Sequence, residues 1–281
     1  MNWYNDFLNK LKNSGIADAD TQLCVLTEFV SGIPYSEIIK KRILAAKDEK
    51  VFLSLLSDEQ IEDLENKVFL RAEGVPLQYI TGKTDFYGRE FRCRRGVLIP
   101  RFDTETLVDA ALTVLNDGDS LLDLCCGSGC AGITLALERK IMLDLADISP
   151  DAVELARVNA EQYGVNAGIF LYDVFHDKLK KQYNVIVCNP PYIKSGEIKD
   201  LSKDVRAEPV LALDGGIDGL DFYRYISSNY TYALKPGGRF VFECGAGQSE
   251  AVADLLKKSG FADISVKKDY AGINRVLIAG I

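Results

Sequence analysis

The chain has 281 residues, and its 33 lysines and arginines against 41 aspartates and glutamates give a formal net charge of −8. Hydrophobic residues make up 47% and charged residues 26%, ordinary globular proportions that exclude collagen-like and disordered classes. The acidic balance argues against a surface that follows a phosphate backbone, so we expect no stable nucleic-acid partner. Because no apolar run is long enough for a membrane helix and the first residues lack signal-peptide character, we expect a cytoplasmic protein without a membrane partner.

The first 75 residues have helical spacing of apolar residues and predict an all-α bundle, either a substrate-docking domain or a purely structural one. Three apolar clusters predict helices around residues 7–11, 23–30 and 38–44. A fourth helix is predicted from Ser57, because Ser57 to Gln60 has the form of a capping box, and it should end at Gly74.

Residues 76–101 show period-two spacing and predict a β-hairpin connector with its turn at Gly88 and Arg89. Between Lys83 and Arg101 there are six basic and two acidic residues. Such a run is either a solvated surface or a face for an acidic protein or RNA.

Residues 102–281 alternate between strand and helix patterns, which is typical of a parallel sheet covered by helices on both faces. The predicted strands are residues 120–124, 141–147, 168–172, 184–188, 238–244, 264–268 and 275–281. The last two predict a terminal antiparallel strand. The fold class is therefore α/β, a Rossmann-like sheet behind an N-terminal all-α bundle, with domains 1–75, 76–101 and 102–281.

Seven cysteines and a single histidine, His176, restrict the chemistry. The cysteines fall mainly in apolar segments and predict reduced thiols packed as small apolar residues. Because the chain has no C-x-x-C pair and only one histidine, we expect no metal site and no Ser-His or Cys-His nucleophile.

A glycine turn after the strand at 120–124 is the clearest cofactor signal. Gly127, Gly129 and Gly132 match G-x-G-x-x-G, and Asp147 ends the next strand, where a carboxylate can accept hydrogen bonds from ribose hydroxyls. This pattern predicts an adenosine-containing cofactor and fits both NAD and S-adenosylmethionine. Asp123 favours the second, because D-x-C-x-G-x-G is close to the turn typical of S-adenosylmethionine-dependent methyltransferases.

The strand at 184–188 ends in Asn189, Pro190, Pro191 and Tyr192. Two prolines make a stiff turn without backbone donors, so the Asn189 side-chain oxygen and the Pro190 carbonyl can both accept from one –NH₂ group. That arrangement selects an amide or an exocyclic amine, with Tyr192 as an aromatic wall beside a flat substrate or a sulfonium. Because such acceptors orient a weakly nucleophilic nitrogen, no strong general base is needed.

From Pro76 onward the chain resembles the protein-(glutamine-N5) methyltransferases that modify peptide chain release factors. The resemblance includes, in order, residues 76–82, 86–88, 96–101, 147–149, 189–193, 208–209, 213–216, 218–220, 236–238 and 272–275. The helical first part agrees in type and length with the small substrate-binding domain of that family.

The resemblance implies methyl transfer from S-adenosylmethionine, leaving S-adenosylhomocysteine, to the glutamine amide in the Gly-Gly-Gln loop of a release factor. Asn189 and Pro190 would hold that amide, and Pro191 and Tyr192 would complete its pocket. The cofactor residues that it implies are Asp123, Cys125, Cys126, Gly127, Ser128, Gly129, Asp147, Ile148, Asp173, Val174 and Asn189. Glu243 is a weaker candidate. Cys125 stands where the family has glycine, which leaves the shape of the loop open.

Several alternatives remain at this point. A ribosomal-protein glutamine methyltransferase shares Asn-Pro-Pro-Tyr. A DNA adenine methyltransferase also uses such a tetrapeptide but needs a larger basic region than this acidic chain offers. A nicotinamide-dependent oxidoreductase fits the glycine turn but gives residues 189–192 no role, and a non-catalytic module that kept the fold is a further possibility.

Overall fold

The computed structural model describes residues 3–45 and 54–281. In the described ranges the α-helices are α1 (Trp3–Asn13), α2 (Ala19–Ser31), α3 (Tyr35–Ala45), α4 (Asp58–Ala72), α5 (Leu77–Thr81), α6 (Glu105–Leu112), α7 (Cys130–Glu138), α8 (Pro150–Gln162), α9 (Lys203–Arg206), α10 (Asp221–Asn229) and α11 (Ser249–Lys258). The strands are β1 (Lys83–Phe86), β2 (Arg89–Arg92), β3 (Ser120–Leu124), β4 (Met142–Asp147), β5 (Ala167–Leu171), β6 (Tyr183–Cys188), β7 (Leu234–Glu243), β8 (Asp263–Lys268) and β9 (Asn274–Gly280). None of the helices described is long and apolar enough to cross a membrane.

The chain divides into two compact units. The helical unit comprises Met1–Gly82 and Lys203–Ala207, and the sheet unit comprises Lys83–Ser202 and Glu208–Ile281. These boundaries differ from the predicted 1–75, 76–101 and 102–281. Residues 77–81 form a short helix that groups with the helical unit, whereas the hairpin groups with the sheet unit.

Helices α1 to α4 bury one apolar core, as their spacing predicts. The core includes the fully buried side chains of Leu11, Leu23, Leu26, Ile38 and Leu64. The predicted capping box is confirmed, since the Ser57 hydroxyl accepts from the Gln60 N–H at 3.2 Å while the Gln60 side chain accepts from the Ser57 N–H at 3.0 Å.

Segment 203–207 joins this unit through one buried arginine. Arg71, with its side chain 3% exposed, donates to both carboxylate oxygens of Asp204 at 2.9 and 2.6 Å. Its Nε donates to the Gln22 side chain at 2.7 Å. A bidentate pair with further hydrogen bonds is the arrangement that makes a buried guanidinium tolerable.

The hairpin of β1 and β2 turns at Tyr87 and Gly88, whose φ angles are 52° and 69°, one residue earlier than predicted. The positive charge of residues 83–101 is largely paired within the chain. Lys83 contacts Glu90 at 2.7 Å, and two further ion pairs are Arg89 with Glu138 and Arg94 with Glu154. This pairing leaves less positive charge for an acidic partner.

The sheet has the order β5-β4-β3-β6-β7-β9-β8. The pairs among β3 to β7 are parallel, and β9 is antiparallel to both of its neighbours, which confirms the predicted sheet with a terminal antiparallel strand. Strand order reverses at β3, with β4 on one side and β6 on the other. Ligands of open α/β sheets bind at such a switch point, beyond the carboxyl ends of the strands.

Alternate residues of the central strands enter two cores, because successive side chains of a strand point to opposite faces. Leu121 and Val187 belong to one core, while Leu122 and Ile186 belong to the other. Asp123 follows the parity of Leu121 and therefore lies on the face covered by α7. All seven cysteines are free, and all but Cys125 are buried.

Candidate functional site

A cavity opens at the carboxyl ends of β3, β4 and β6, within the sheet unit. Its lining brings together all the predicted site residues except Gly129, Pro190, Tyr192 and the weaker candidate Glu243. The predicted residues in the lining are Asp123, Cys125, Cys126, Gly127, Ser128, Asp147, Ile148, Asp173, Val174, Asn189 and Pro191. Segments more than 80 residues apart in sequence therefore meet at one place.

The glycine turn packs closely against the strands on one side and leaves open space on the side of the cavity. A Cβ at Gly132 would lie 2.6 Å from Leu145 Cδ2 and 2.9 Å from Asp123 Cβ, so only glycine lets α7 approach the strands. A Cβ at Gly127 would meet only Val97, at 4.0 Å. The space beside Gly127 is thus left for a ligand.

Asp123 holds the start of α7. Its Oδ2 accepts from the Gly132 N–H at 2.8 Å, and the residue is 3% exposed. Burial raises its pKa from 3.8 to about 7, with the Gly132 hydrogen bond lowering it and the charge of Asp147 raising it. Asp123 lines the cavity, and burial makes its ionised form costly in free energy. A positively charged ligand group beside the carboxylate would offset that cost, so the position suits such a group.

Cys125 takes the left-handed conformation that glycine usually supplies, with φ at 61°. For a residue with a Cβ this backbone conformation costs about 1–2 kcal/mol. The loop therefore keeps the form of a glycine turn despite the substitution.

Asp147 is the last residue of β4, and its carboxylate holds the glycine turn through a hydrogen bond. Its Oδ2 accepts from the Gly127 N–H at 2.8 Å and its Oδ1 from the Ser149 N–H at 2.9 Å. Burial raises the pKa of this carboxyl, and these hydrogen bonds lower it. A carboxylate offers about four acceptor positions, so Asp147 can still accept from a ligand hydroxyl.

Residues 173–175 form the far wall. Val174 is buried, and its carbonyl accepts from the Tyr230 hydroxyl at 2.7 Å. Asp173 accepts from the Phe175 N–H at 2.8 Å and contacts the ring of His176 at 2.9 Å, and the His176 contact is the main cause of its lowered pKa. With its side chain 81% exposed, His176 is a surface residue.

The loop after β6 is braced from outside the cavity. Ile193 donates to the Leu213 carbonyl at 2.9 Å and accepts from Gly215 at 2.8 Å, while the Gln248 side chain donates to the Tyr192 carbonyl at 2.9 Å. These bonds hold the two prolines without using the Asn189 side chain, which lines the cavity.

Asn189 and Tyr192 connect to two side chains behind the loop. The Asn189 Nδ2 donates to Thr104 Oγ1 at 3.2 Å, and the Tyr192 hydroxyl donates to Glu243 Oε1 at 3.4 Å. Glu243 is fully buried, and burial raises its pKa to about 7 against the lowering effects of Thr104 and Arg275. Burial also raises the pKa of Tyr192.

Sequence reasoning did not assign Thr104 to the site, nor the wall formed around Glu208. Glu208 is buried, accepts from the Ile99 N–H at 2.9 Å and pairs with Arg101, which lines the cavity beside Pro209. The available signal was the resemblance itself, which includes residues 96–101 and 208–209 but assigns them no role.

Two family descriptions match the chain, PrmC N-terminal domain over residues 2–82 and Methyltransferase small domain over residues 101–212. The release factor glutamine methyltransferase of Clostridium acetobutylicum is 36% identical over 257 residues, 87% of this chain and 90% of that protein. The chain belongs to the release factor glutamine methyltransferase family. The Bacillus subtilis member is 37% identical over 251 residues, 85% of each chain.

Solved structures agree on the fold of this family member. A methyltransferase from Pyrococcus furiosus has a TM-score of 0.53 at 17% identity, covering 80% of this chain and 98% of that one. A T. thermophilus 16S rRNA methyltransferase in complex with AdoMet and guanosine has a TM-score of 0.50 at 20% identity, covering 70% of this chain and 49% of that one. These solved structures agree with a Rossmann-like sheet, as the sequence predicts. The relatives and the family description reported above make the family member a methyltransferase.

Proposed function

We propose that this chain transfers the methyl group of S-adenosylmethionine to the side-chain amide nitrogen of the glutamine in the Gly-Gly-Gln loop of a peptide chain release factor. The observation that carries this proposal is the position of Asn189, whose Nδ2 is engaged by Thr104 at 3.2 Å while its side chain lines the cavity. With the nitrogen engaged, the oxygen is available to the substrate. The names of the relatives support the choice of substrate.

The residues around the cavity fit S-adenosylmethionine. The open space at Gly127 admits a ligand against the backbone, Asp147 can still accept from a ribose hydroxyl, and Asp123 suits the ammonium of the amino-acid end. Val174 and Phe175 provide an apolar wall for adenine. Bound there, S-adenosylmethionine would supply an electrophilic methyl group.

The role of the chain is to hold and orient the nucleophile. Among the described residues, none donates a hydrogen bond to Asn189 Oδ1 or to the Pro190 carbonyl. Both oxygens can accept the two hydrogens of one carboxamide –NH₂, which directs its nitrogen lone pair. As positive charge develops on nitrogen, its N–H groups become more acidic and these bonds strengthen, so the site favours the transition state over the ground state.

Asn189→Ala tests the proposal. We expect it to abolish methylation of a purified release factor by labelled S-adenosylmethionine, with product binding by calorimetry largely intact, because the main loss is the acceptor for the substrate amide. Asn229→Ala, at the exposed end of α10, is the matched control. A release factor whose Gly-Gly-Gln glutamine is replaced by glutamate should remain unlabelled.

Three results would contradict this reading. Full turnover by Asn189→Ala would remove the amide-holding role. Label on a ribosomal protein in a lysate and none on the release factor would change the substrate. Binding of NADH and none of S-adenosylmethionine would reject the transferase chemistry. A cytoplasmic location remains part of the proposal, to be tested by cell fractionation.

A further inference from the structure

An asparagine side chain can present either its oxygen or its nitrogen to a ligand, and only the oxygen can hold a substrate –NH₂. The partner of Asn189 does not settle the direction alone, because a threonine hydroxyl can both donate and accept. The orientation of the Asn189 amide depends on which group accepts the hydrogen of the Thr104 hydroxyl. If that hydrogen is directed elsewhere, Thr104 Oγ1 is left to accept from Asn189 Nδ2.

A buried carboxyl next to Thr104 can take that hydrogen. Glu243 is 0% exposed, and its Oε2 has no hydrogen-bond partner at normal geometry in the part of the chain that the structure describes. The Thr104 hydroxyl, itself 5% exposed, is close enough to lower the pKa of Glu243 by hydrogen bonding. A buried carboxylate oxygen without a donor is costly, which favours directing the Thr104 hydrogen at it.

We propose, building on the proposed function, that Glu243 is a positioning residue which acts through Thr104. The ionised carboxyl accepts the Thr104 hydrogen, Thr104 Oγ1 accepts from Asn189 Nδ2, and the Asn189 oxygen is thereby directed at the substrate amide. Through Tyr192, whose hydroxyl lies 3.4 Å from Oε1, the same carboxyl orients the aromatic side of the loop.

The protonation state of Glu243 controls the direction of this chain of hydrogen bonds. A protonated Glu243 no longer requires a hydrogen from Thr104, so the Asn189 amide loses its fixed orientation. The charged and titratable groups that face Glu243 are Asp103, Tyr192, Tyr223, Cys244 and Arg275. Burial raises the pKa of the Tyr192, Tyr223 and Cys244 groups above their ordinary values, so Glu243, with a pKa of about 7, is the member that titrates near neutrality.

The expected consequence is a pH limb in kcat. With saturating S-adenosylmethionine and release factor, kcat of the unaltered chain should rise about tenfold between pH 6 and pH 8, because the ionised fraction rises by that factor around a pKa of 7. Glu243→Gln should lower kcat at pH 8 at least about tenfold and remove the limb, because its amide can donate to Thr104 and reverse the chain. The product affinity, measured by calorimetry, should not change.

Thr104→Val and Thr104→Ser separate the hydroxyl from packing. The valine variant should lose kcat and the limb together, and the serine variant should restore both. Asp144→Asn is the matched control for the carboxyl, because Asp144 is also buried and also accepts from a tyrosine hydroxyl, that of Tyr183 at 2.8 Å, outside the cavity lining. Thr134→Val is the control for a buried hydroxyl that has no hydrogen-bond partner among the residues described.

Retention of the limb by Glu243→Gln would overturn the proposal, as would wild-type kcat in Thr104→Val. Failure of a folded Thr104→Ser to restore activity would do the same, since a structural role of the threonine methyl would then explain the loss. An unaltered chain that binds S-adenosylmethionine but methylates no glutamine would overturn the proposed function, a result distinct from all of these.

Discussion

Replacing Asp123 by Asn should stabilise the sheet unit at pH 8 and weaken cofactor binding. The pKa of Asp123 rises from 3.8 to about 7 chiefly because the carboxyl is buried. Each tenfold change in proton affinity is worth about 1.4 kcal/mol, so ionisation costs the folded chain up to about 4 kcal/mol once both states are ionised. Asparagine avoids this cost, and its Oδ1 can still accept from the Gly132 N–H that Asp123 Oδ2 accepts from at 2.8 Å.

The sign of the pH dependence follows from the direction of the pKa shift. Below about pH 4 the carboxyl is protonated in folded and unfolded chains alike, so its contribution to stability is fully present. As the pH rises towards 7 the unfolded chain ionises first, and stability falls until the folded-state pKa of about 7 is passed. The variant should therefore match the unaltered chain at pH 4 and exceed it by up to about 4 kcal/mol at pH 8.

Denaturant unfolding followed by far-ultraviolet circular dichroism measures this difference. Fluorescence is a poor choice, because the single tryptophan, Trp3, lies in the helical unit. Asp144→Asn is the contrasting variant, since it breaks the 2.8 Å ion pair with Lys181 and should not stabilise the chain at pH 8. The same Asp123→Asn variant should bind S-adenosylhomocysteine about 10- to 100-fold more weakly, the scale of one charge-assisted hydrogen bond. An equal effect on stability at pH 4 and pH 8 would refute the reasoning.

Three further outcomes are expected. Gly132→Ala should destabilise the sheet unit by about 1–3 kcal/mol in the same unfolding assay, because its Cβ would lie 2.6 Å from Leu145 Cδ2, and an unchanged midpoint would show that α7 can shift freely. Asp147→Ala should weaken S-adenosylhomocysteine binding in calorimetry by about 2 kcal/mol through the lost acceptor, and unchanged affinity would exclude Asp147 from the cofactor contacts. Asp204→Ala should destabilise the helical unit by about 2 kcal/mol, read from Trp3 fluorescence during unfolding, because the buried Arg71 loses its charged partner. Asp200→Ala, at the exposed end of the 3₁₀ helix Ser195–Asp200, should have no effect.

Local patterns predicted most elements of the fold. The capping box at Ser57 and the strand pattern of residues 120–124 each combine a hydrophobic period with a terminating signal, and both elements form where the sequence predicts them. Helix α5 was missed because five residues between Pro76 and Gly82 are too few to show a helical period. The prediction that the strand-like period begins at Pro76 was therefore wrong for residues 77–81.

The residues that line and support the cavity were harder to predict from the sequence than the elements of the fold. The glycine turn, Asp147 and Asn189 could be predicted because each lies at or just after the end of a strand, and the carboxyl ends of parallel strands share one edge. Thr104 contacts Asn189 across 85 residues, and Glu208 pairs with Arg101 across 107. A single sequence carries no record of such long-range pairings, so the residues that support the site became visible only in three dimensions.

The contribution of segment 203–207 to the helical unit also bears on the order of events during synthesis. Arg71 emerges from the ribosome well over 100 residues before Asp204 does. Until then the nascent bundle must leave this guanidinium hydrated, so its packing around Arg71 stays incomplete while β3 to β6 are already translated. Final closure of the first unit is therefore tied to translation of most of the second, and a polypeptide released early, before residue 204, would carry an unfinished bundle open to proteolysis.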